Sequence, residues 1–379
     1  MKKFFVLILM LSGLVSCIYP YNPDIDGATD DMVVIEGTIM PGGTSTFSFS
    51  KVYPLKRNGL HENVVGRAWV EDDQGKVYQP SSQNPSSSVE IPMENASSDR
   101  RYRMTSEIGG KIYSSDWLEP KAPPVIENID FSLSEDSTSV VVGVTLSGGK
   151  EGTGYIGLAF EETWEFHTDF MGEYYLDTLR WSVEPLQSPY PNYWCWRSRT
   201  SGMYLVSYAE LTSDRLPSKP IQSFSCSDSR NHKLYSINVK AVTLSEEAYK
   251  YIQNVGMISE GQGSLFSPNP GEMASNIICE SNPDQKVEGY VTAGQATTSR
   301  AFLDSRFYHY RLPSTNNFFI PGPMDNYREL YQNKVYPIAF MSLPTGENNE
   351  YVDGIYWGPL RCIDCLVDGG TKDKPDFWP

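Results

Sequence analysis

Cationic side chains are scarce in this sequence, and so are histidine and cysteine. Lys and Arg number 31 against 47 Asp and Glu, which gives a formal net charge of −16 at pH 7. Affinity for nucleic acid comes largely from cations that neutralise phosphates, so we expect no nucleic-acid partner. The same charge disfavours a protein that lies flat on an anionic leaflet.

The sequence also lacks the short motifs of well-known catalytic sites. It contains no HExxH, GxSxG or Walker-type segment, and its four histidines (His61, His167, His232 and His309) are scattered. The glycine-rich stretch 148–154 joins two strand-like runs, which favours a hairpin turn over a nucleotide cradle. The sequence does not decide whether a Ser-His-Asp triad forms, because the three residues need only meet in space. We predict no catalytic residue, no metal and no cofactor.

Long apolar runs are absent except at the N-terminus. Lys2 and Lys3 precede the apolar run Phe4–Leu11, and Leu14–Ser16 leads directly into Cys17. This run is too short to cross a bilayer, which takes about 20 residues. A positive start, a short apolar run and a small residue before the cut are typical of a secretory signal. We therefore assign residues 1–16 to a signal peptide.

The cysteine after this signal resembles that of a bacterial lipobox. In that family the Cys17 thiol would be acylated, so the lipid bilayer becomes the first predicted partner. Residues 17–31 follow with prolines, a glycine and four aspartates but no apolar period, which favours an extended or flexible tether. An ordinary secreted protein is the alternative.

Six cysteines are available, and five remain if Cys17 carries lipid. An exported compartment permits disulfides, so at most two bridges can form among the five candidates, whose pairing the sequence does not give: Cys195, Cys226, Cys279, Cys362 and Cys365. The C-x-x-C pair Cys362 and Cys365 favours a structural disulfide over half of a zinc site or a redox site, because a turn-like segment follows it.

Alternating short runs of Val, Ile, Tyr, Thr and Phe predict a mainly all-β chain with two β-sandwich-like domains. Residues 32–122 are predicted to form a small Ig-like or transthyretin-like sandwich, with hairpins at 68–78 and 101–114. Prolines at 120, 123 and 124 mark the boundary.

Residues 123–379 form a larger β-rich domain. Within it, Val140–Leu146 and Tyr155–Phe160 are predicted to pair as a hairpin. One inserted amphipathic helix near 245–255 begins at the cap Ser245 and ends at Gly256. We interpret this helix as a packing element.

The most conspicuous cluster is aromatic and lies within an irregular, proline-containing stretch. Long ordered loops often carry binding sites, so we assign a ligand-binding role to six of these residues: Phe170, Tyr174, Tyr175, Trp181, Tyr190 and Tyr193. Trp194 and Trp196, which flank Cys195, are expected to fill the core instead.

Three acids close together on one predicted strand offer a carboxylate pair for glycoside hydrolysis. Glu161 and Glu165 would share a face while Glu162 points the other way. A solvated strand end is the simpler interpretation, and we favour it.

The order of several segments resembles a family of exported Bacteroidota lipoproteins known as domain of unknown function 4249. The matching segments span nearly the whole chain: Cys17, Val33–Ile39, Gly66–Gly75, Tyr102–Met104, Gly110–Ser115, Pro123–Ile126, Cys195 with Trp196, Leu244–Tyr249, Cys362, Cys365 and Lys374–Trp378. The resemblance implies an outer-membrane lipoprotein of a kind often encoded beside TonB-dependent transporters or their plug-domain relatives, and it implies no established catalytic residue.

We therefore expect a non-catalytic binding or accessory lipoprotein that acts with a TonB-dependent transporter at the outer membrane. A glycan- or peptide-capturing protein that uses the aromatic loop is one alternative. A carboxylate-dependent glycoside hydrolase is the other.

Overall fold

A computed structural model describes residues 32–52, 64–148, 155–187, 192–207, 215–260, 275–309, 317–322, 326–344 and 351–379. The predicted signal peptide, Cys17 and the tether lie outside these ranges. Among the described residues the chain is mainly β, with several sheets and sandwich-like packing.

In chain order the described strands are β1 (Val33–Ile39), β2 (Thr44–Lys51), β3 (Gly66–Asp72), β4 (Val77–Tyr78), β5 (Ser88–Pro92), β6 (Tyr102–Ile108), β7 (Lys111–Ser115), β8 (Val125–Leu133), β9 (Ser139–Ser147), β10 (Tyr155–His167), β11 (Tyr174–Asp177), β12 (Ser182–Pro185), β13 (Trp194–Thr200), β14 (Tyr204–Ser207), β15 (Arg215–Ser225), β16 (Leu234–Leu244), β17 (Ile277–Cys279), β18 (Val291–Ala293), β19 (Ala296–Asp304), β20 (Phe318–Pro321), β21 (Val335–Pro344) and β22 (Tyr351–Pro359). The α-helices described are α1 (Glu246–Glu260) and α2 (Tyr327–Gln332).

The first hydrophobic core lies between two sheets, ordered β18-β1-β2-β5 and β17-β7-β6-β3-β4. Period-two alternation builds it: in β2, Phe47 and Phe49 are buried while the alternate residues Thr46, Ser48 and Ser50 are exposed. Both predicted hairpins, β3–β4 and β6–β7, are confirmed. The β6–β7 turn needs positive φ at both central positions, which Gly109 (58°) and Gly110 (76°) supply.

Two strands of this first unit come from far along the chain. β18 pairs in parallel with β1, and β17 pairs antiparallel with β7. Their buried side chains Ile277, Cys279 and Val291, together with Val287, belong to the first core. The division at residue 122 stays a prediction, and these strands lie on the other side of it.

The second core lies between the sheet β13-β10-β16-β19, which β14 joins through β10, and the sheet β15-β9-β8. The predicted β9–β10 hairpin is wrong, because β9 pairs with β8 and β15 while β10 pairs with β13, β14 and β16. Each strand has one long apolar face, and placing the strands in facing sheets buries those faces against each other.

Helix α1 follows β16 and begins where its cap predicts. The Ala248 backbone N–H donates to Ser245 Oγ at 3.1 Å, which satisfies one of the unpaired N–H groups of the first turn. Ala248 and Tyr251 are buried. The predicted end at Gly256 is wrong, since the helix continues to Glu260; a glycine weakens a helix interior by only about 1 kcal/mol.

A third, smaller unit was not predicted from the sequence. It is the three-stranded sheet β20-β22-β21 with α2, and Ile338, Cys362 and Ile363 form its buried cluster. No described helix has the length and apolar character needed to cross a membrane.

Candidate functional site

A cleft of about 400 Å³ lies between the outer faces of the two main sandwiches. One wall comes from β1, β2 and β5 and is rich in hydroxyl groups. The facing wall, from β10, β16, α1 and the segment before β14, is mainly aliphatic. The principal lining residues are Glu36, Thr38, Thr46, Ser48, Ser88, Gly157, Ala159, Met203, Lys240, Val242 and Ile252.

These residues line the cleft because strand side chains alternate between faces. In β1 the buried Ile35 and Ile39 point into the first core, so Glu36 and Thr38 point away from it. In β16 the buried Val239 and Ala241 point into the second core, which turns Lys240 and Val242 toward the cleft. The cleft is therefore built mainly from strand positions that face away from the two cores.

Two glycines allow close packing at the cleft. A Cβ on Gly37 would lie 2.3 Å from Phe47 Cδ1, and a Cβ on Gly157 would lie 2.8 Å from Met203 Sδ. A larger residue at Gly157 would displace Met203 and change the shape of the cleft, whereas a larger residue at Gly37 would displace Phe47 in the first core behind the cleft wall.

One acid and one base are exposed in the cleft. Glu36 Oε1 accepts a hydrogen bond from the Tyr251 hydroxyl at 3.3 Å, and the Tyr251 ring stacks on Tyr290 at 5.4 Å. Burial, and next the Glu36 carboxylate, raise the pKa of Tyr251 above its usual range. Lys240 has no ion-pair partner among the described residues. Helix α1, interpreted from sequence as packing, thus also contributes to this cleft.

The aromatic residues predicted to bind ligand contact two different sets of partners. Ring centroids of Phe170 and Tyr356 lie 6.3 Å apart, those of Tyr174 and Phe340 6.5 Å apart, and those of Trp181 and Tyr331 6.1 Å apart. These three rings pack against the small third unit.

The other three residues predicted to bind ligand are Tyr175, Tyr190 and Tyr193. Tyr193 stacks on His167 at 5.1 Å, and burial raises the pKa of its hydroxyl. Tyr175 is 45% exposed. Tyr190 lies outside the described residues.

Trp194 and Trp196 do not fill the core, contrary to our expectation. Cys195 is the buried residue of this trio, so alternation puts both indoles on the opposite face of β13, where they are half-buried. Trp194 packs edge-on to His167 at 4.9 Å and beneath the Lys233 ammonium at 5.0 Å.

The carboxylates of β10 are held in structural contacts. Glu162 is 1% exposed and accepts from Arg230 Nε at 3.0 Å, from the Tyr235 hydroxyl at 2.9 Å and from Gln222 Nε2 at 3.0 Å. Glu165 contacts Lys233 Nζ at 2.6 Å. The expectation of a solvated strand end is wrong for both, because Glu162 is 1% exposed and Glu165 is 6% exposed.

The three acids of β10 are divided between the two faces of the strand. Glu161 and Glu165 share a face but are four residues apart, which places their Cα atoms about 13 Å apart along the strand. Glu162 points to the opposite face.

One disulfide joins Cys195 to Cys365 across 170 residues. The C-x-x-C pair is therefore not bridged within itself: the Cys362 thiol is buried and contacts Asn317 Oδ1 at 3.4 Å. Cys226 and Cys279 are buried thiols. The one disulfide observed among the described residues is compatible with the prediction of at most two. The predicted bridge between Cys362 and Cys365 is wrong, because Cys365 pairs with Cys195.

His167 and His232 stack with ring centroids 4.3 Å apart. Burial, and next the neighbouring His167, lower the pKa of His232 to about 4. Within the described ranges no group of three His, Cys, Asp or Glu side chains is arranged to hold a metal ion.

Comparison with known families is decisive for one point. A family model for a domain of unknown function, DUF4249, matches residues 18–300. The chain belongs to the DUF4249 family.

This DUF4249 chain matches no curated protein. Among solved structures it is similar to a segment of two fibronectin type III domains from chicken tenascin. The identity is 10%, and the match covers 55% of this chain and 89% of that one with a TM-score of 0.15. A score this low carries no argument about function.

Proposed function

We propose that this protein is a non-catalytic binding lipoprotein, anchored through acylated Cys17 at the outer membrane, which acts with a TonB-dependent transporter. The signal-like N-terminus, the cysteine after it and the acidic tether support the anchor. The observation that carries the binding role is the cleft between the sandwiches, which combines an aliphatic wall, many hydroxyl groups and two exposed charges.

The arrangement of the acids in β10 supports a non-catalytic role. Each oxygen of Glu162 accepts at least one hydrogen bond from the protein, and Glu165 is paired with Lys233. Carboxylates engaged in this way stabilise the fold, and a reaction would require them to leave those partners.

The anchor and the partner are tested together by expressing the full chain with its own signal. The unaltered protein should enter the outer-membrane fraction and, after mild solubilisation, co-purify with a transporter of the TonB-dependent class. The matched Cys17→Ser variant should leave the membrane fraction. Recovery of the anchored protein alone, with no porin-like partner, would contradict the transporter role.

A second candidate is capture of a glycan or peptide at the aromatic surface. The β11–β12 hairpin carries Leu179, which is 92% exposed, Tyr175, which is 45% exposed, and the half-buried Trp181. If this surface binds ligand, Tyr175→Ala and Trp181→Ala should both reduce affinity for that ligand. Unchanged affinity in both variants would reject this candidate.

A further inference from the structure

We propose that the cleft between the two sandwiches binds short, zwitterionic peptides with aliphatic side chains. This inference rests on the proposed binding function and names the ligand class. Three features of the cleft carry it: its size, the contrast between its walls, and the pair of opposite charges.

The size of the cleft suits a ligand of a few residues. Its volume of about 400 Å³ lies in the lower part of the range of protein ligand sites. A folded partner or a long polymer would make most of its contacts elsewhere.

The two walls match the two kinds of group that a short peptide carries. Thr38, Thr46 and Ser48 offer hydroxyl groups that both donate to peptide C=O and accept from peptide N–H. The facing Ala159, Val242 and Ile252 offer aliphatic contact. A dipeptide or tripeptide carries backbone N–H and C=O groups that can bond the hydroxyl groups of one wall and aliphatic side chains that can contact the other wall.

The walls fit a sugar less well. Sugar rings are bound typically by stacking on an exposed aromatic face. Phe47 is the aromatic ring among the described lining residues, and it is only 1% exposed. The aliphatic wall instead favours ligand side chains of the Leu, Val or Ala type.

The charges match free peptide termini. An α-amino group and an α-carboxylate are both ionised at pH 7. Glu36 is exposed to receive the ammonium, and its Tyr251 hydrogen bond holds the carboxylate in place. Lys240 is exposed on the facing sheet to receive the carboxylate. Both charges would then gain a partner on binding.

The test is calorimetric titration of the purified full-length lipoprotein in detergent with four probes: Leu-Leu, tri-alanine, an N-acetylated and C-amidated Leu-Leu, and maltotriose. We expect the two free peptides to bind, the blocked peptide to bind at least tenfold more weakly, and maltotriose not to bind. Tight binding of the blocked peptide would reject the role of the charges.

Matched variants locate the site. Lys240→Gln and Glu36→Gln should each weaken Leu-Leu binding at least tenfold, and Ala159→Phe should abolish it by filling the cleft. Lys76→Gln and Glu90→Gln remove exposed charges outside the cleft and should leave binding unchanged. Circular dichroism and thermal unfolding confirm that each variant is folded.

The outcomes separate this inference from the proposed function. If maltotriose binds and Ala159→Phe blocks it while peptides do not bind, the peptide class is wrong and the binding role stands. If no probe binds, the peptide inference is overturned, and the transporter co-purification decides the proposed function independently. Equal loss in cleft and control variants would also overturn it.

Discussion

Glu162 is a charged side chain enclosed in the second core. Its partners come from three separate segments: Arg230 from the turn before β16, Tyr235 from β16, and Gln222 from β15. Arg230 is itself largely buried and also contacts Asp228. A buried charge is tolerated only when it is fully paired, so this cluster ties the three segments together.

Truncation of this carboxylate should therefore be strongly destabilising. We expect Glu162→Ala to lower the free energy of unfolding by about 3–5 kcal/mol, since it leaves Arg230 without its buried partner. Denaturation by urea measures the change. The control is Glu161→Ala at the next position, whose 3.6 Å contact with Arg300 is at the surface and is worth about 1 kcal/mol or less. Similar losses in the two variants would contradict this assignment.

The stacked histidines predict a pH dependence of stability. His232 has a folded-state pKa of about 4, whereas an unperturbed histidine titrates near 6.5. Above pH 6.5 the imidazole is neutral in both states and its contribution to stability is complete. As the pH falls from about 6.5 to about 4, the unfolded chain binds a proton that the folded chain does not, so the free energy of unfolding decreases.

The measurement compares urea unfolding of the unaltered protein and His232→Gln at several pH values between 4 and 7. The variant should lose less stability over this range, because it has no imidazole to protonate. The difference between the two proteins isolates His232 from the carboxylates that titrate over the same range. Parallel curves would show that His232 makes no such contribution.

At the scale of elements, the C-terminal tail is fastened to β13. The backbones of Trp196 and Thr371 exchange two hydrogen bonds, and Lys372 Nζ donates to the Trp194 carbonyl at 2.8 Å. Gly370 passes so close that a Cβ there would lie 2.7 Å from Cys195 Cβ. The Cys195–Cys365 disulfide lies among these contacts. It therefore crosslinks a C-terminal segment that backbone hydrogen bonds already hold against β13.

Loss of this bridge should destabilise the second sandwich. A crosslink that closes a loop of 170 residues contributes up to about 5 kcal/mol in the chain-entropy model. We expect the Cys195→Ser/Cys365→Ser double variant to unfold at lower urea concentration by a corresponding amount. Dithiothreitol should shift the unaltered protein in the same direction and leave the double variant unchanged. A shift of the double variant by dithiothreitol would place the critical bridge elsewhere.

Sequence reasoning succeeded at this scale where the determinants are local. The alternation in β2, the β3–β4 and β6–β7 turns and the Ser245 cap each depend on residues within a few positions of one another. Pairing of Cys195 with Cys365, and of β9 with β15 instead of β10, depends on which apolar faces meet in space. The spacing of apolar residues and the residues of the turns do not determine which strands or which cysteines pair.

The candidate site escaped sequence reasoning for a related reason. Its lining is made of Ser, Thr, Gly and small aliphatic residues from strands far apart in the chain, and none carries a motif. The available signal was the row of hydroxyl residues on the outward face of Thr44–Lys51. The aromatic stretch drew attention first, although three of its rings pack against the third unit.

At the scale of the whole molecule, the first sandwich depends on residues that follow most of the second. β18 completes one of its sheets and β17 the other. Ile277, Cys279, Val287 and Val291 are all buried in its core. Burial of a Val or Ile side chain stabilises by about 1.5–3 kcal/mol, so the three Val and Ile residues alone supply roughly 4.5–9 kcal/mol, comparable to the entire stability of a typical domain.

A fragment of residues 32–122, the sandwich predicted from sequence, should therefore not fold cooperatively by itself. We expect weak dispersion of amide signals in NMR and a broad, non-cooperative urea transition. The matched control joins residues 275–294 to the same fragment through a Gly/Ser linker, which returns both strands and all four buried side chains; this version should give dispersed signals and a sharp transition. A sharp transition in the shorter fragment would contradict this prediction, because the first core would then be stable without β17 and β18. If only the longer version folds, the first sandwich needs β17 and β18 to be complete. Because these strands follow β16 of the second sandwich in the chain, they also hold the two walls of the cleft together.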